Sequence, residues 1–263
     1  MQINHENGKR GCLILLALSL ITVTACSSQA PVQETAQDKT AAADLIAQAE
    51  KSYQQRSDLP RAREGIIALR RATALDSSSY EAAWKFARLA YYLGFHTDNT
   101  TERDKMYGDG IEAGRRAIKL QDGKPEGHFW LGANLGGKAQ TSMLSGLSAV
   151  NEIRSEMERV IQLDEGFQNG SAYMALGQID LETPRMLGGD SKHAVEILEK
   201  GLRFGDNNAL FHLRLGQAYL AVGRNEDARK QLEGILTSTP NPDFLPEHQD
   251  AVKQARELLD KGL

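Results

Sequence analysis

Leu215-Gly-Gln-Ala-Tyr219-Leu-Ala-Val-Gly223-Arg-Asn-Glu-Asp-Ala228-Arg-Lys-Gln-Leu232, with Pro240 beyond it, decides how this chain folds. The spacing of Leu215, Gly216, Tyr219, Gly223, Ala228, Leu232 and Pro240 predicts two antiparallel helices. Gly216 and Ala228 are small enough to let the two backbones approach. Tyr219 and Leu232 are large enough to fill the gap left between neighbouring pairs.

That spacing matches the tetratricopeptide pattern of roughly 34 residues. Working outward, four segments share one ending: Arg71-Ala-Thr-Ala-Leu-Asp76, Arg116-Ala-Ile-Lys-Leu-Gln121, Arg159-Val-Ile-Gln-Leu-Asp164 and Lys200-Gly-Leu-Arg-Phe-Gly205, spaced 45, 43 and 41 residues apart. Trp84 to Tyr91, Trp130-Leu-Gly132, Leu176-Gly177 and Leu215-Gly216 mark the starts of partner helices. The predicted fold is all-α: antiparallel helix pairs in a superhelical stack. The earlier units are longer than the last, and the excess falls around Phe95–Met106, Gly136–Val150 and Pro184–Lys192. Insertions at one equivalent place emerge on one edge of such a stack. Met143, Leu144, Leu147 and Val150 either form an exposed apolar patch there or extend a helix and pack inward.

The beginning of the chain is an address. Lys9 and Arg10 precede an uncharged run from Gly11 to Ala25, too short to span a bilayer comfortably as a helix and suited to a signal peptide. The run ends in Val23-Thr-Ala-Cys26, which resembles the bacterial lipobox. That resemblance implies cleavage before Cys26 and lipidation of its sulfur, and Ser27 implies the outer membrane. Residues 1–25 are therefore expected to be a signal peptide, 26–42 a polar tether and 43–263 the helical-repeat domain. With Cys12 removed and Cys26 acylated, no thiol is left for catalysis, metal binding or redox chemistry.

Of 263 residues, 31 are Lys or Arg and 35 are Asp or Glu, so the net charge of −4 gives no electrostatic reason for a nucleic-acid partner. Gly132-Ala-Asn-Leu-Gly-Gly137-Lys138-Ala139 nearly spells a phosphate-binding loop. Ala139 lacks the hydroxyl that holds magnesium, and no strand precedes, because Pro125 to Leu135 reads as a helix. Close helix packing explains those glycines better. His96, His128, His193, His212 and His248 show no metal-binding spacing, and no nucleophile elbow occurs. Glu152, Glu156 and Arg159 read as intrahelical pairs. We expect no enzyme activity, no cofactor and no metal.

Two candidate surfaces remain. In tetratricopeptide folds the fifth, ninth and twelfth positions of each first helix line the concave groove. Here these are Lys85, Phe129, Met174 and Leu213; Leu89, Ala133, Gln178 and Gln217; and Tyr92, Gly136, Leu181 and Leu220. The lining is mainly apolar. It suits an apolar ligand or partner segment, or a cover made from the chain's own insertions or last helix.

Phe129-Trp-Leu-Gly-Ala-Asn-Leu-Gly136, Met157-Glu-Arg-Val-Ile-Gln-Leu-Asp164, Pro184-Arg-Met-Leu-Gly-Gly-Asp190 and the tail from Pro246 to Leu259 are similar to the T component of tripartite ATP-independent periplasmic (TRAP) transporters. The resemblance covers roughly Ala82 to Leu259. It implies a lipoprotein facing the periplasm, a trimer, docking to a periplasmic solute-binding protein, and a cavity for hydrophobic or organic-acid ligands. The docking edge expected from it comprises Trp130, Asn134, Lys138, Pro184, Gly188, Gly189 and Asp190. Trp130 would give contact area, Asn134 and Lys138 polar orientation, and Gly188-Gly189 a tight turn with accessible N–H groups. Packing between repeats explains the same residues, and a generic scaffold lipoprotein of envelope assembly is the alternative function.

Overall fold

The structure, a computed structural model, describes residues 35–141, 143–240 and 242–262; the side chains of 143–148 and 243 lie outside that description. So do the expected signal peptide, residues 1–25, and Cys26. Among the described residues the chain forms eleven α-helices: α1 (Ala36–Gln54), α2 (Leu59–Leu75), α3 (Tyr80–His96), α4 (Thr100–Leu120), α5 (Pro125–Thr141), α6 (Met143–Leu163), α7 (Ser171–Glu182), α8 (Ser191–Gly205), α9 (Ala209–Ala221), α10 (Asn225–Thr237) and α11 (Leu245–Asp260). They pack as five consecutive pairs, α1–α2 through α9–α10, followed by α11 against α9 and α10.

Local chemistry sets the helix starts. The hydroxyl of Thr35 accepts from the Asp38 N–H while the Asp38 carboxylate accepts from the Thr35 N–H. The side chains of Ser79, Asn99, Asp190 and Asn208 accept first-turn backbone N–H groups at the starts of α3, α4, α8 and α9. The Thr35 box starts α1 well before the expected domain boundary at 43, so residues 36–42 are helical rather than tether, and Ala42 is buried. The expected helix starts near Trp84, Trp130, Leu176 and Leu215 lie instead more than a turn inside α3, α5, α7 and α9. Those side chains mark packing seams, and the beginnings lie upstream, behind the Ser79 and Asn208 caps in α3 and α9.

Burial follows the pairs. Leu69, Phe86, Leu89 and Leu93 join the first two pairs. Trp130, Leu131, Met157, Val160 and Leu176 join the middle ones, and Tyr173, Leu198, Phe211 and Leu215 join the fourth to the fifth. Leu213, Leu232 and Ile235 meet Ala251 and Ala255 of α11. Each repeat thus finds its apolar neighbours in the next, as a solenoid must. His128 and His212 repeat one device: each bonds through Nδ1 to the second helix of its pair (Glu156, Gln231; both 2.6 Å) and through Nε2 to a carbonyl of the preceding turn.

The long units carry their extra residues as longer helices. α4 and α6 each have 21 residues against 13 in α10, with only three residues between α3 and α4. Pro184–Lys192 makes the longest departure from helical geometry among the described parts of these segments, through a 3-10 turn at Arg185–Leu187 that leaves Met186 exposed. Of the expected apolar patch, Met143, Leu144 and Leu147 lie outside the described side chains and Val150 is half-buried. The expected intrahelical pairs of α6 are also replaced. Glu152 takes Arg115 of α4, Glu156 takes His128 of α5, and Arg159 reaches Asp122. On α6 the partners on neighbouring elements win over those of its own next turn, whereas Arg61–Glu64 and Lys105–Asp109 pair within α2 and α4.

Candidate functional site

First helices touch one another along the stack (α1 with α3, α3 with α5, α7 with α9). Second helices are linked by long charged side chains, Arg63–Glu102 and Arg70–Asp109 between α2 and α4 and Arg115–Glu152 between α4 and α6. The first helices therefore form the tighter, concave side.

Counting from the capped start of α3 sets the register of that face. The expected groove residues Lys85, Leu89 and Tyr92 are each one place too far along. A slip of one residue turns a helix by about 100°. The fifth, ninth and twelfth residues are Trp84, Arg88 and Tyr91. Leu89 and Leu213 are core residues, and Phe129 is buried beside Trp130. Lys85 is held by Glu50 and Glu81. Tyr92 is buried beside Arg56, whose guanidinium lies 5.5 Å from its ring centre. Met174, Gln178, Gln217, Ala133, Gly136, Leu181 and Leu220 are half-buried.

At one end of the concave side, Glu50 takes salt bridges from Lys85 (2.8 Å) and Arg88 (2.7 Å), and the Arg88 guanidinium sits 3.6 Å from the Tyr53 ring centre. Burial works to raise the Glu50 pKa, and the two cations overcome it and hold the carboxyl below its ordinary range. Next to this cluster the two ends of the stack meet. Arg56, in the turn after α1, donates through Nη2 to both oxygens of Glu247 on α11, at 3.2 and 3.1 Å. The Arg56 side chain is 3% exposed and that of Glu247 25%. Burial lifts Tyr92 to about 12, and Glu247 and Asp250 of α11 push the same way.

Tyr91 is the meeting point further in. Its ring lies 5.9 Å from Trp130, 6.2 Å from Phe95 and 6.3 Å from Tyr107. Burial raises its hydroxyl pKa, while Arg214 from α9, Glu247 from α11 and Glu182 from α7 act on it through space. Three helices distant in sequence, α7, α9 and α11, thus bring a charged side chain within electrostatic reach of one tyrosine. Arg214 donates to Gln217 at 2.9 Å, and burial lowers its pKa.

The expected docking edge divides. Asn134 is buried, donating to the carbonyls of Ala87 (2.9 Å) and Trp130 (2.7 Å), and its Oδ1 has no partner among the described residues. Gly110 makes room for it. Trp130 is core, and of this face only Lys138 is exposed. In the other half, Pro184 and Gly188 are exposed and Gly188 has φ of 96°. Gly189 presses on the Thr183 carbonyl, and Asp190 caps α8. No hydrogen bond or ion pair joins the two halves among the described residues. The near-phosphate loop lies inside α5, where Gly132 faces Met157 and Gly137 faces Tyr107.

Sequence reasoning missed Arg56, Arg88, Tyr91, Arg214 and Glu247. Arg214 carried a visible signal: it is the one Lys, Arg, Asp or Glu in Ala209–Ala221, the rest of which is mostly apolar. Arg56 and Glu247 carried none, because their meeting depends on the curvature of the whole stack. Among the described residues no group of three His, Cys, Asp or Glu could hold a metal ion, and no helix is long and apolar enough to cross a membrane.

Comparison with known proteins places this geometry. A family model described as TRAP transporter T-component matches residues 119–262, and one described as Regulator of microtubule dynamics protein 1-3 matches residues 35–179. Each takes in just over half of the chain. No curated protein matches. Among solved structures, a thermophilic TPR protein of Thermus thermophilus, TTC0263, is similar at 17% identity and TM-score 0.59, covering 81% of this chain and 99% of its own. Pseudomonas aeruginosa pilF is similar at 18% identity and TM-score 0.55, covering 86% and 93%. At those identities the likeness concerns the fold: an all-α tetratricopeptide-like repeat.

Proposed function

The chain belongs to the TRAP transporter T-component family, with its N-terminal helix pairs shared with the Regulator of microtubule dynamics protein 1-3 family, and on that premise we propose that it is a lipid-anchored accessory of a TRAP-type transport system. In this reading Cys26 holds the protein in the outer membrane facing the periplasm, the repeats dock a periplasmic solute-binding protein, and the concave interior holds a ligand. Trimerisation, implied by the family, belongs to the same proposal. The leader ending in Val23-Thr-Ala-Cys26 favours the envelope over a cytoskeletal role.

The observation that supports a ligand-holding interior best is the Arg56–Glu247 contact. An open tetratricopeptide groove takes an extended peptide along its length. Here α11 reaches the turn after α1, so the concave side is bounded at both ends and suits a compact ligand. The exposed parts of the docking edge, Lys138 and the Pro184–Gly188 turn, remain the proposed receptor contacts.

The test is a pull-down from detergent-solubilised envelope, with the chain anchored through Cys26 and tagged at its C-terminus, read by mass spectrometry. Enrichment of a solute-binding protein, lost in Lys138→Ala or with the Pro184–Gly188 turn replaced, supports the proposal. Enrichment of envelope-assembly or cell-wall proteins instead would make it a scaffold lipoprotein and overturn it. Light scattering of the purified protein reads the trimer.

A further inference from the structure

Two of the turns inside helix pairs take three residues each, 97–99 between α3 and α4 and 222–224 between α9 and α10. The turn between α7 and α8 takes eight, 183–190. It is nevertheless tightly held. Leu187 and Gly189 donate their N–H groups to the Pro184 carbonyl at 2.7 and 3.3 Å, and Gly188 donates to that of Arg185 at 3.2 Å. At its base the buried Asp180 carboxylate takes Arg154 of α6 at 2.7 Å and His193 Nδ1 of α8 at 2.6 Å. The turn is thus clamped to three helices.

The crest of this rigid turn is apolar. Met186 is 90% exposed and Leu187 49%. Ordering five more residues than the shorter turns use costs conformational entropy, and two large apolar side chains left in water return none of it. The surroundings of the crest carry one sign of charge. From Thr183 to Val195 the cationic side chains are Arg185 and Lys192, with His193 beside them, and the one carboxylate is Asp190. Asp190 is spent on the backbone N–H groups of Lys192 and His193 at the start of α8. Glu182, just before the turn, accepts from Gln178. Arg185 and Lys192 are exposed, with no carboxylate within ion-pair distance among the described residues.

We propose that this crest is a plug: Met186 and Leu187 enter an apolar pocket on a protein partner, and Arg185 and Lys192 meet carboxylates on the rim of that pocket. This rests on the reading of the Pro184–Gly188 turn as a receptor contact and adds the chemistry that the receptor surface must have. An unbranched methionine adapts to the shape of a pocket, and the rim charges steer and orient the approach. The same cations reject a second copy of this turn as the partner, because like charges would then face each other.

The full-length, lipid-anchored protein is made in cells with a photoreactive residue at the crest, Met186→benzoylphenylalanine, and irradiated in place. The expected result is one cross-linked protein whose attached peptide is apolar with Asp or Glu beside it. Adding Arg185→Glu and Lys192→Glu should lower the cross-linking yield at least about tenfold, because the rim would then face like charge. Met186→Ser with Leu187→Ser should lose the partner in the pull-down while melting within about 2 °C of the parent, since the crest supports no packing.

Cross-linking to a second copy of this chain, to lipid alone or to nothing overturns the proposal. So does a yield unmoved by the two charge reversals, or a clear loss of stability in the serine variant, which would make the crest a structural element. If a solute-binding protein is captured while the crest stays unlinked, the plug falls and the receptor reading stands. If the linked protein has the expected pocket and is not a solute-binding protein, the plug stands and the receptor reading falls.

Discussion

Replacing Arg56 with methionine should loosen the whole stack. The side chain is nearly fully buried and supplies two hydrogen bonds to Glu247, one to the Tyr53 carbonyl at 3.2 Å, and a cation 4.4 Å from the Tyr53 ring centre. Removing one partner of a fully buried ion pair costs about 3–5 kcal/mol. Glu247 is a quarter exposed, so water recovers part of its solvation, and about 2–3 kcal/mol is the better figure for the pair. Glu247→Gln keeps the shape and hydrogen-bonding capacity and should cost about 1–2 kcal/mol. Because each substitution removes the same contact, the double variant should fall short of the sum by at least about 1 kcal/mol. The assay is urea unfolding followed by circular dichroism, with amide hydrogen exchange locating the change. Exchange should quicken in α11 and at the end of α1 and stay unchanged in α5 and α6. Additive losses, or α11 exchanging at its original rate in Arg56→Met, would refute the idea that this contact holds the two ends together.

Two glycines should respond in opposite directions. A Cβ on Gly189 would stand 1.8 Å from the Thr183 carbonyl oxygen, so Gly189→Ala should lower stability by about 2 kcal/mol or more. A Cβ on Gly136 meets nothing within 4 Å, so Gly136→Ala should raise it by about 0.5–1 kcal/mol; thermal melts read both. The Arg63 hydrogen bond, helped by Thr97 and opposed by burial, lowers Glu102 from the usual 4.5 to about 2. A folded-state pKa below the unfolded one stabilises above pH 4.5, and the benefit is lost as pH falls towards 2. With Arg63 largely in water the contribution is about 1 kcal/mol or less, and Glu102→Gln should flatten stability across that window. Cys26→Ala should move the protein from the membrane pellet to the soluble fraction on cell fractionation, and retention in the pellet would refute lipid anchoring through that residue.

The repeat was readable because its signals are local. Gly216 does meet Leu232, and Ala228 is fully buried, as their spacing requires. The concave register was harder to read. Tyr80 begins α3 behind the Ser79 cap, and counting from Glu81 instead sets every groove position one residue late, enough to exchange Tyr91 for Tyr92. Asn134 and Trp130 read as contact residues because amide and indole are common at interfaces. The structure spends both on packing α5 against α3, a role visible only once Ala87 and Gly110 stand opposite. The meeting of Arg56 with Glu247 spans 191 residues, and no periodicity encodes it.

That last contact also bears on how such a chain evolves. An open array can gain or lose a unit by unequal duplication, because every internal seam resembles every other and only the ends need capping. Here the first turn and the final helix recognise each other, as the two ends of a bracelet do. Adding a helix pair would carry Glu247 past Arg56, and deleting one would leave it short. Duplication or loss of a unit would therefore cost this contact in either direction, a constraint that an open array does not carry.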